Sequence, residues 1–227
     1  MKTKLIYSLA ILFIAFMGIS CDDKDDKMPD IAGAWNYENP HFVFEYAQDS
    51  ISVTMAQGKK KSIAVDDLKA IFLDMATEKM KDYFTGVEFN AGNQMKIKMQ
   101  LKDGAESSLK ATYIQSDDVI GVTLDADDLQ ALTGTSMQIP SISFKYTVSQ
   151  DHLLMYFDQV YVQTVVSMMQ DKIVDMLLPI MGVDVSQLPE SVVNQIKEGI
   201  KAQIPVILDN IIRLEIGFNL TRESVLK

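Results

Sequence analysis

The 227-residue sequence predicts a mainly β fold of antiparallel strands with helical insertions (α+β). From Ile31 onward, most apolar residues recur at every second position, which is the spacing of strands that bury one face. Short polar sequences typical of turns separate these stretches. Three further stretches carry apolar residues at three- and four-residue spacings, which predicts amphipathic helices among the strands.

The clearest strands follow one another in the middle of the chain. Residues 94–101 alternate between polar and apolar side chains and end at Asp103-Gly104, a pair that readily forms a hairpin turn. The same alternation predicts further strands at residues 109–113, 119–124, 142–148, 152–158 and 213–220. Because the turns between most of them are short, we expect an antiparallel meander.

The helical stretches lie on either side of this meander. Residues 65–84 predict a first helix, and residues 162–180 predict a second, which Gly182 ends. A third begins with Pro189 as its first helical residue. Pro205 lacks an N–H and crowds the preceding turn, so we expect a kink or break there. The second and third helices predict a helical hairpin inserted between two strands.

The N-terminus has the features of a secretory signal peptide. Lys2 and Lys4 precede an apolar run at residues 5–17 that is too short to span a bilayer, which predicts a signal peptide at residues 1–20. The sequence Gly18-Ile19-Ser20-Cys21 resembles a bacterial lipobox, and Cys21 is the chain's only cysteine. That resemblance implies that Cys21 is lipidated and becomes the new N-terminus, so that the protein meets the membrane through its lipid anchor.

An acidic segment follows Cys21, and we assign residues 21–30 to a lipidated tether. Its composition predicts a solvated, flexible spacer. The cluster is also similar to the export signal that sends lipoproteins of some Gram-negative anaerobes to the outer face of the outer membrane. This resemblance implies an outer-membrane protein facing the cell exterior, with a periplasm-facing anchor as the alternative. The acidic residues that carry it are Asp22, Asp23, Asp25 and Asp26.

The predicted first strand opens with Gly33-Ala34-Trp35. Gly-x-Trp at this position resembles the signature of the lipocalins and the broader calycin group, in which the tryptophan closes one end of a small up-and-down barrel. Together with the lipobox, it resembles the lipocalin-like surface lipoproteins of uncharacterised function. The resemblance implies an antiparallel lipocalin-like β-barrel over residues 31–227. A helix would follow strand 2 at residues 42–45, and a helical insertion at 161–212 would precede the last strand.

Composition and motifs give little support to catalysis. The net charge of −10 argues against nucleic acid as a partner. His41 and His152 stand outside any metal-ligand spacing, and Asp125-Ala126-Asp127-Asp128 lacks the glycine and glutamate of a calcium loop, so a helix cap at Asp127 or a solvated turn is favoured. We therefore expect a non-enzymatic protein without metal or cofactor, and we disfavour a hydrolase because no nucleophile–base pair is recognisable.

Two functional hypotheses remain. In the first, a small apolar or amphipathic ligand binds between the barrel and the helical hairpin, which can also plug or cap the barrel. In the second, the hairpin docks onto an outer-membrane protein partner. The candidate ligand-lining residues, which suit ordinary core packing equally well, are Trp35, Phe42, Phe44, Met95, Met99, Phe144 and Tyr146.

The acidic cluster gives a first test. Replacing Asp22, Asp23, Asp25 and Asp26 with alanine removes the negative charges after Cys21, so we expect the protein to be lost from the cell surface while remaining membrane-bound. Protease treatment of intact cells, followed by immunoblotting, measures the exposed fraction. Surface cleavage equal to that of the unaltered protein would contradict the export role.

Overall fold

The structure, a computed structural model, describes residues 30–54, 60–81, 83–101, 104–135, 141–180 and 182–223. The predicted signal peptide, Cys21 and the four aspartates of the predicted tether lie outside the described residues. The strands are β1 (Gly33–Tyr46), β2 (Ser50–Thr54), β3 (Lys60–Ala64), β4 (Phe84–Asn90), β5 (Gln94–Gln100), β6 (Glu106–Ser116), β7 (Val119–Leu124), β8 (Ile142–Ser149), β9 (His152–Phe157) and β10 (Ile211–Arg222). The helices are α1 (Val65–Lys81), α2 (Ala126–Thr133), α3 (Gln159–Met168), α4 (Gln170–Ile180), α5 (Glu190–Lys201) and α6 (Ile204–Asp209).

Eight strands form a closed antiparallel barrel in the order β1-β10-β9-β8-β7-β6-β5-β4. Strands β4 to β9 pair antiparallel in chain order, joined by short turns except between β7 and β8, and β1 pairs antiparallel with β4 to help complete the ring. The prediction of a mainly β, antiparallel barrel with helical insertions is therefore confirmed. Strands β2 and β3 form a separate two-stranded sheet.

The chain divides into two compact units. Of the described residues, those within 30–41, 75–158 and 215–223 form the barrel unit, and those within 42–74 and 159–214 form the second unit. The second unit therefore contains the β2–β3 hairpin, most of the first helix α1, and helices α3 to α6. Its two segments are the connections from β1 to β4 and from β9 to β10.

The predicted second strand at residues 42–45 is wrong, because the structure continues β1 through it to Tyr46. Glu38 and Asn39 are both exposed, and Pro40 follows them, so the in–out alternation changes phase within one strand. In the sequence alone, this change of phase cannot be distinguished from a break between two strands. Helix α1 consequently follows a third strand, after the β2–β3 hairpin, rather than strand 2.

The helical insertion contains more breaks than expected. The break at Pro205 is confirmed, since α5 ends at Lys201 and α6 begins at Ile204 with Pro205 in its first turn. The expected single helix over residues 162–180 is divided at Met169 into α3 and α4. The hydroxyls of Thr164 and Ser167 donate back to backbone carbonyls one turn earlier, a contact that bends helices.

Helices α4 and α5 form an antiparallel pair within the second unit. Val174 and Leu178 of α4 and Ile200 of α5 are buried. On the exposed side, Lys197 lies 2.6 Å from Asp175, and Lys201 pairs with Asp171 one turn further along. The Asp171–Lys201 pair lowers the pKa of the Asp171 carboxyl and raises that of Lys201.

An additional helix, α2, lies between β7 and β8. Its N-cap is Asp125, whose side chain accepts hydrogen bonds from the backbone N–H groups of Asp127 and Asp128. The cap therefore lies two residues before the expected Asp127. The Asp128 carboxylate accepts from the backbone N–H of Lys110 at 3.0 Å, so these aspartates join the helix to β6.

The bulge in β4 gives a stability test. Gly86 has a φ of +152°, and a Cβ there would collide with the carbonyl oxygen of Trp35 on β1. We expect Gly86→Ala to lower the free energy of unfolding by roughly 3 kcal/mol. The control is Gly121→Ala, whose Cβ would meet the nearest atom at an ordinary 3.6 Å. Urea unfolding followed by circular dichroism measures both, and equal stability of the two variants would contradict the close approach of β1 and β4.

Candidate functional site

Trp35 lies near the start of β1, at one end of that strand, and is fully buried. Its indole N–H donates to the carbonyl oxygen of Ile31 at 2.8 Å. The guanidinium of Arg222 lies 4.4 Å from the centre of the indole ring and donates to the carbonyl oxygens of Ala32 and Asp30. A cation over an aromatic face is attractive, so Arg222 fixes both the ring and the segment that leads into β1. We call this the Trp35 end.

The solvent exposure of inward-facing side chains on β4, β5 and β6 increases with distance from the Trp35 end, and Met99 and Ser107 at the exposed end also border an outer groove. Inward-facing residues of β4, β5 and β6 form three successive cross-strand rungs, Phe89–Met95–Ala111, Val87–Ile97–Leu109 and Phe84–Met99–Ser107. The first rung is buried, with each residue at most 3% exposed. In the second rung Ile97 is partly exposed, and in the third all three residues are. We call the third the open rung.

Aromatic side chains surround the open rung. Tyr37 meets Phe84 edge to face, with 5.7 Å between ring centres, and Phe84 lies 4.8 Å from Phe218. Phe144 stacks on Phe157 at 4.4 Å and lies 6.1 Å from Phe218. Such offset and edge contacts stabilise the arrangement beyond the burial of area alone. The open rung therefore faces a firm aromatic wall.

Tyr37 and Tyr146 differ in how their hydroxyls are satisfied. The Tyr146 hydroxyl donates to the carbonyl oxygen of Asp117 at 2.9 Å and lies 2.6 Å from the side-chain amide of Gln115. The Tyr37 hydroxyl is also buried, but no hydrogen-bond partner lies within reach of it among the described residues. Burial raises the pKa of Tyr37, so the phenol is neutral at physiological pH. A buried hydroxyl without a hydrogen-bond partner lowers the stability of the folded state by about 1–3 kcal/mol.

The residues predicted to line a ligand site do not converge on one place. Met99 lies in the open rung, Met95 lies in the buried first rung, and Phe144 belongs to the aromatic wall. Trp35 is buried near the start of β1, and Tyr146 is buried with its hydroxyl bonded.

Phe42 and Phe44 belong instead to the second unit. There Phe42 stacks on Phe72 at 4.0 Å and on Phe44 at 6.2 Å. Their apolar alternation gave no means of distinguishing them from barrel-lining residues.

The sequence analysis missed three residues of the site, Tyr37, Phe84 and Ser107. Tyr37 lies two positions after Trp35 and so shares its face of β1. That spacing was an available signal. The helical spacing of residues 65–84 predicts Phe84 at the end of the first helix. Ser107 has a short polar side chain, so it does not stand out as an apolar residue of a strand.

Two concavities in the described ranges are open grooves. In the barrel unit, a groove of about 780 Å³ is lined mainly by polar residues, among them Lys98, which lies 3.0 Å from Glu223. In the second unit, a groove of about 510 Å³ is lined by β3 and α1, with Lys61, Asp67 and Asp74 along it.

The histidines take part in ion-pair geometry. His41 Nε2 lies 2.8 Å from a Glu215 carboxylate oxygen, and both side chains are largely buried. His152 lies 3.7 Å from Glu38 and is mostly exposed. Across the described residues, no group of three or more metal-ligating side chains comes together.

Comparison with known proteins yields no relative. No protein-family model matches the sequence, and no curated protein or solved structure is significantly similar to it. None of the helices in the described part of the chain combines the length and apolar character needed to cross a membrane. Function must therefore be argued from the site itself.

The Trp35 end gives a second stability test. Arg222→Ala removes the cation over the indole and two hydrogen bonds to backbone carbonyls, so we expect a loss of about 2 kcal/mol in unfolding free energy. Arg213→Ala, on the same strand, is the control. Arg213 is half exposed and lies 3.9 Å from Glu45, so its loss should cost below about 1 kcal/mol. Similar urea midpoints for the two variants would contradict the role of Arg222.

Proposed function

We propose that this protein is a surface-anchored lipoprotein that binds a small apolar or amphipathic ligand, without catalysis, inside a lipocalin-like barrel. The observation that carries the proposal is the gradient of solvent exposure along the inward-facing side chains of β4, β5 and β6. The rung of Phe89, Met95 and Ala111 is closed, whereas the open rung is accessible and lined by apolar and aromatic side chains. An apolar concavity with few polar groups is the usual form of a small-molecule site.

Two features support the lipocalin-like assignment. The barrel has eight strands in up-and-down order, and the Gly33-Ala34-Trp35 sequence begins its first strand with the tryptophan buried at one end. Eight strands give an interior wide enough for side chains or for one small ligand.

The proposed location rests on the sequence alone. Cys21 provides the lipid anchor, and the aspartates after it provide the signal for display on the outer face of the outer membrane. No cofactor is part of the proposal. A ligand-binding barrel at that location would take up apolar molecules from the surroundings of the cell.

A second candidate function has its own observation. Among the described residues of the second unit, four large apolar side chains are more than half exposed, Val160 at 71%, Ile212 at 64%, Val206 at 61% and Met168 at 55%. The side-chain amide of Gln159 donates to the carbonyl oxygen of Ile211, which brings the chain segments bearing Val160 and Ile212 together. Exposed apolar groups of this kind suit a protein partner in the outer membrane.

Filling the open rung tests the first function. Ser107→Phe places a bulky ring at an inward position, whereas Ser108→Phe places it on the outward face of the same strand. We expect solvent extraction and mass spectrometry of the purified protein to reveal a carried apolar molecule. Its amount should fall about tenfold or more in Ser107→Phe, since a clash of roughly 1.4 kcal/mol is sufficient for that loss, and it should persist in Ser108→Phe.

The other outcomes are equally informative. Ser107 and Ser108 both line the polar outer groove. Loss of the molecule in Ser108→Phe as well as in Ser107→Phe would therefore place the ligand in that groove and contradict an interior site. An empty barrel that co-purifies with an outer-membrane protein, lost in Val160→Glu, would favour docking by the second unit.

A further inference from the structure

We infer that the barrel selects an uncharged ligand whose hydroxyl or carbonyl group forms a hydrogen bond with the Tyr37 hydroxyl. This inference rests on the proposed ligand-binding function and specifies the chemistry of its ligand. The ligand class is an apolar molecule that carries one neutral polar group, such as a long-chain alcohol or ketone.

The first step is the unmatched hydroxyl. Buried polar groups in folded proteins nearly always have a partner, and the Tyr37 hydroxyl has none among the described residues. A phenol hydroxyl can both donate and accept, so it suits an alcohol as well as a carbonyl.

The second step is the position of the Tyr37 ring. Its edge-to-face contact with Phe84 places it beside the open rung, of which Phe84 is a member. A molecule bound against Met99 and Phe84 would therefore lie close to the Tyr37 side chain. The apolar part of the ligand would be covered by these side chains, and its polar group would complete the hydroxyl's hydrogen bonding.

The third step is the exclusion of charge. Within the described ranges, the fully buried residues are all hydrophobic, and no buried polar or charged residue accompanies them. An ion taken into such an interior loses its hydration without gaining a counter-charge, which is costly. A carboxylate or ammonium group is therefore disfavoured, whereas a neutral oxygen is not.

The test uses ligands that share one chain and differ in the head group. The mature chain, residues 21–227 produced without acyl groups, is titrated at pH 7.4 with decane, 1-decanol, 2-decanone and decanoate, each displacing the uncharged fluorophore N-phenyl-1-naphthylamine. We expect the alcohol and the ketone to bind at least about tenfold more tightly than decanoate, because the ion loses its hydration. In Tyr37→Phe their affinity should fall roughly 3- to 10-fold, the range of one net hydrogen bond, while that of decane stays unchanged.

Two controls separate binding from folding. Tyr156→Phe makes the same change on the outer face of the barrel, where Tyr156 lies against His41, and should alter no affinity. Because the Tyr37 hydroxyl has no partner within the described structure, Tyr37→Phe should leave the melting temperature unchanged or raise it. A lowered melting temperature would show that the hydroxyl already has a structural partner and would overturn the inference.

The ways in which the two proposals fail are distinct. If the ligands bind but Tyr37→Phe weakens the affinity for 1-decanol no more than the affinity for decane, the head-group inference is overturned. The proposed function then still stands. Decanoate binding as tightly as 1-decanol would also overturn it. If neither the fluorophore nor any of the four ligands binds, the proposed function itself fails.

Discussion

Strand β1 closes the barrel by lying between β4 and β10, and the rest of the barrel unit depends on that double pairing. Its N-terminal end is held on both sides. Gly33 to Asn36 pair with β4, and the backbone N–H of Glu223 donates to the carbonyl oxygen of Ala34 at 2.9 Å. Without β1, the edges of β4 and β10 would expose unpaired backbone groups, which favour association with other chains.

The same closure determines how the interior is filled. Trp35 and the buried rung occupy one end, so packing there resembles an ordinary protein core. Further along, the bulge between Phe84 and Gly86 interrupts the register of β4 with β5. The open rung begins at this irregularity, where β1 and β4 approach too closely for a side chain at Gly86. Exposure thus increases in one direction along this wall of the barrel, from the buried rung to the open rung.

Local patterns were sufficient to predict the meander but not the site. Strands β5 to β9 have clean alternation, and all but β7 and β8 are joined by short turns, so each is specified by its own residues. The β2–β3 hairpin was missed because β3, with the sequence KKSIA, is almost entirely exposed. The ring contact of Tyr37 with Phe84 depends on a bulge and on contacts between strands that are distant in sequence. The spacing of apolar residues within one segment cannot predict such a contact. Met99 was predicted because its alternation in β5 is regular.

The chain contains a single tryptophan, Trp35, and the structure buries it away from the open rung. Its fluorescence therefore reports on one defined location. Burial beneath Arg222 should give a blue-shifted emission in the folded protein, and a red shift that precedes the loss of β-structure would indicate opening of the Trp35 end alone. Because the open rung lies elsewhere in the interior, a change in this emission when a ligand binds would reveal mechanical coupling along the length of the barrel.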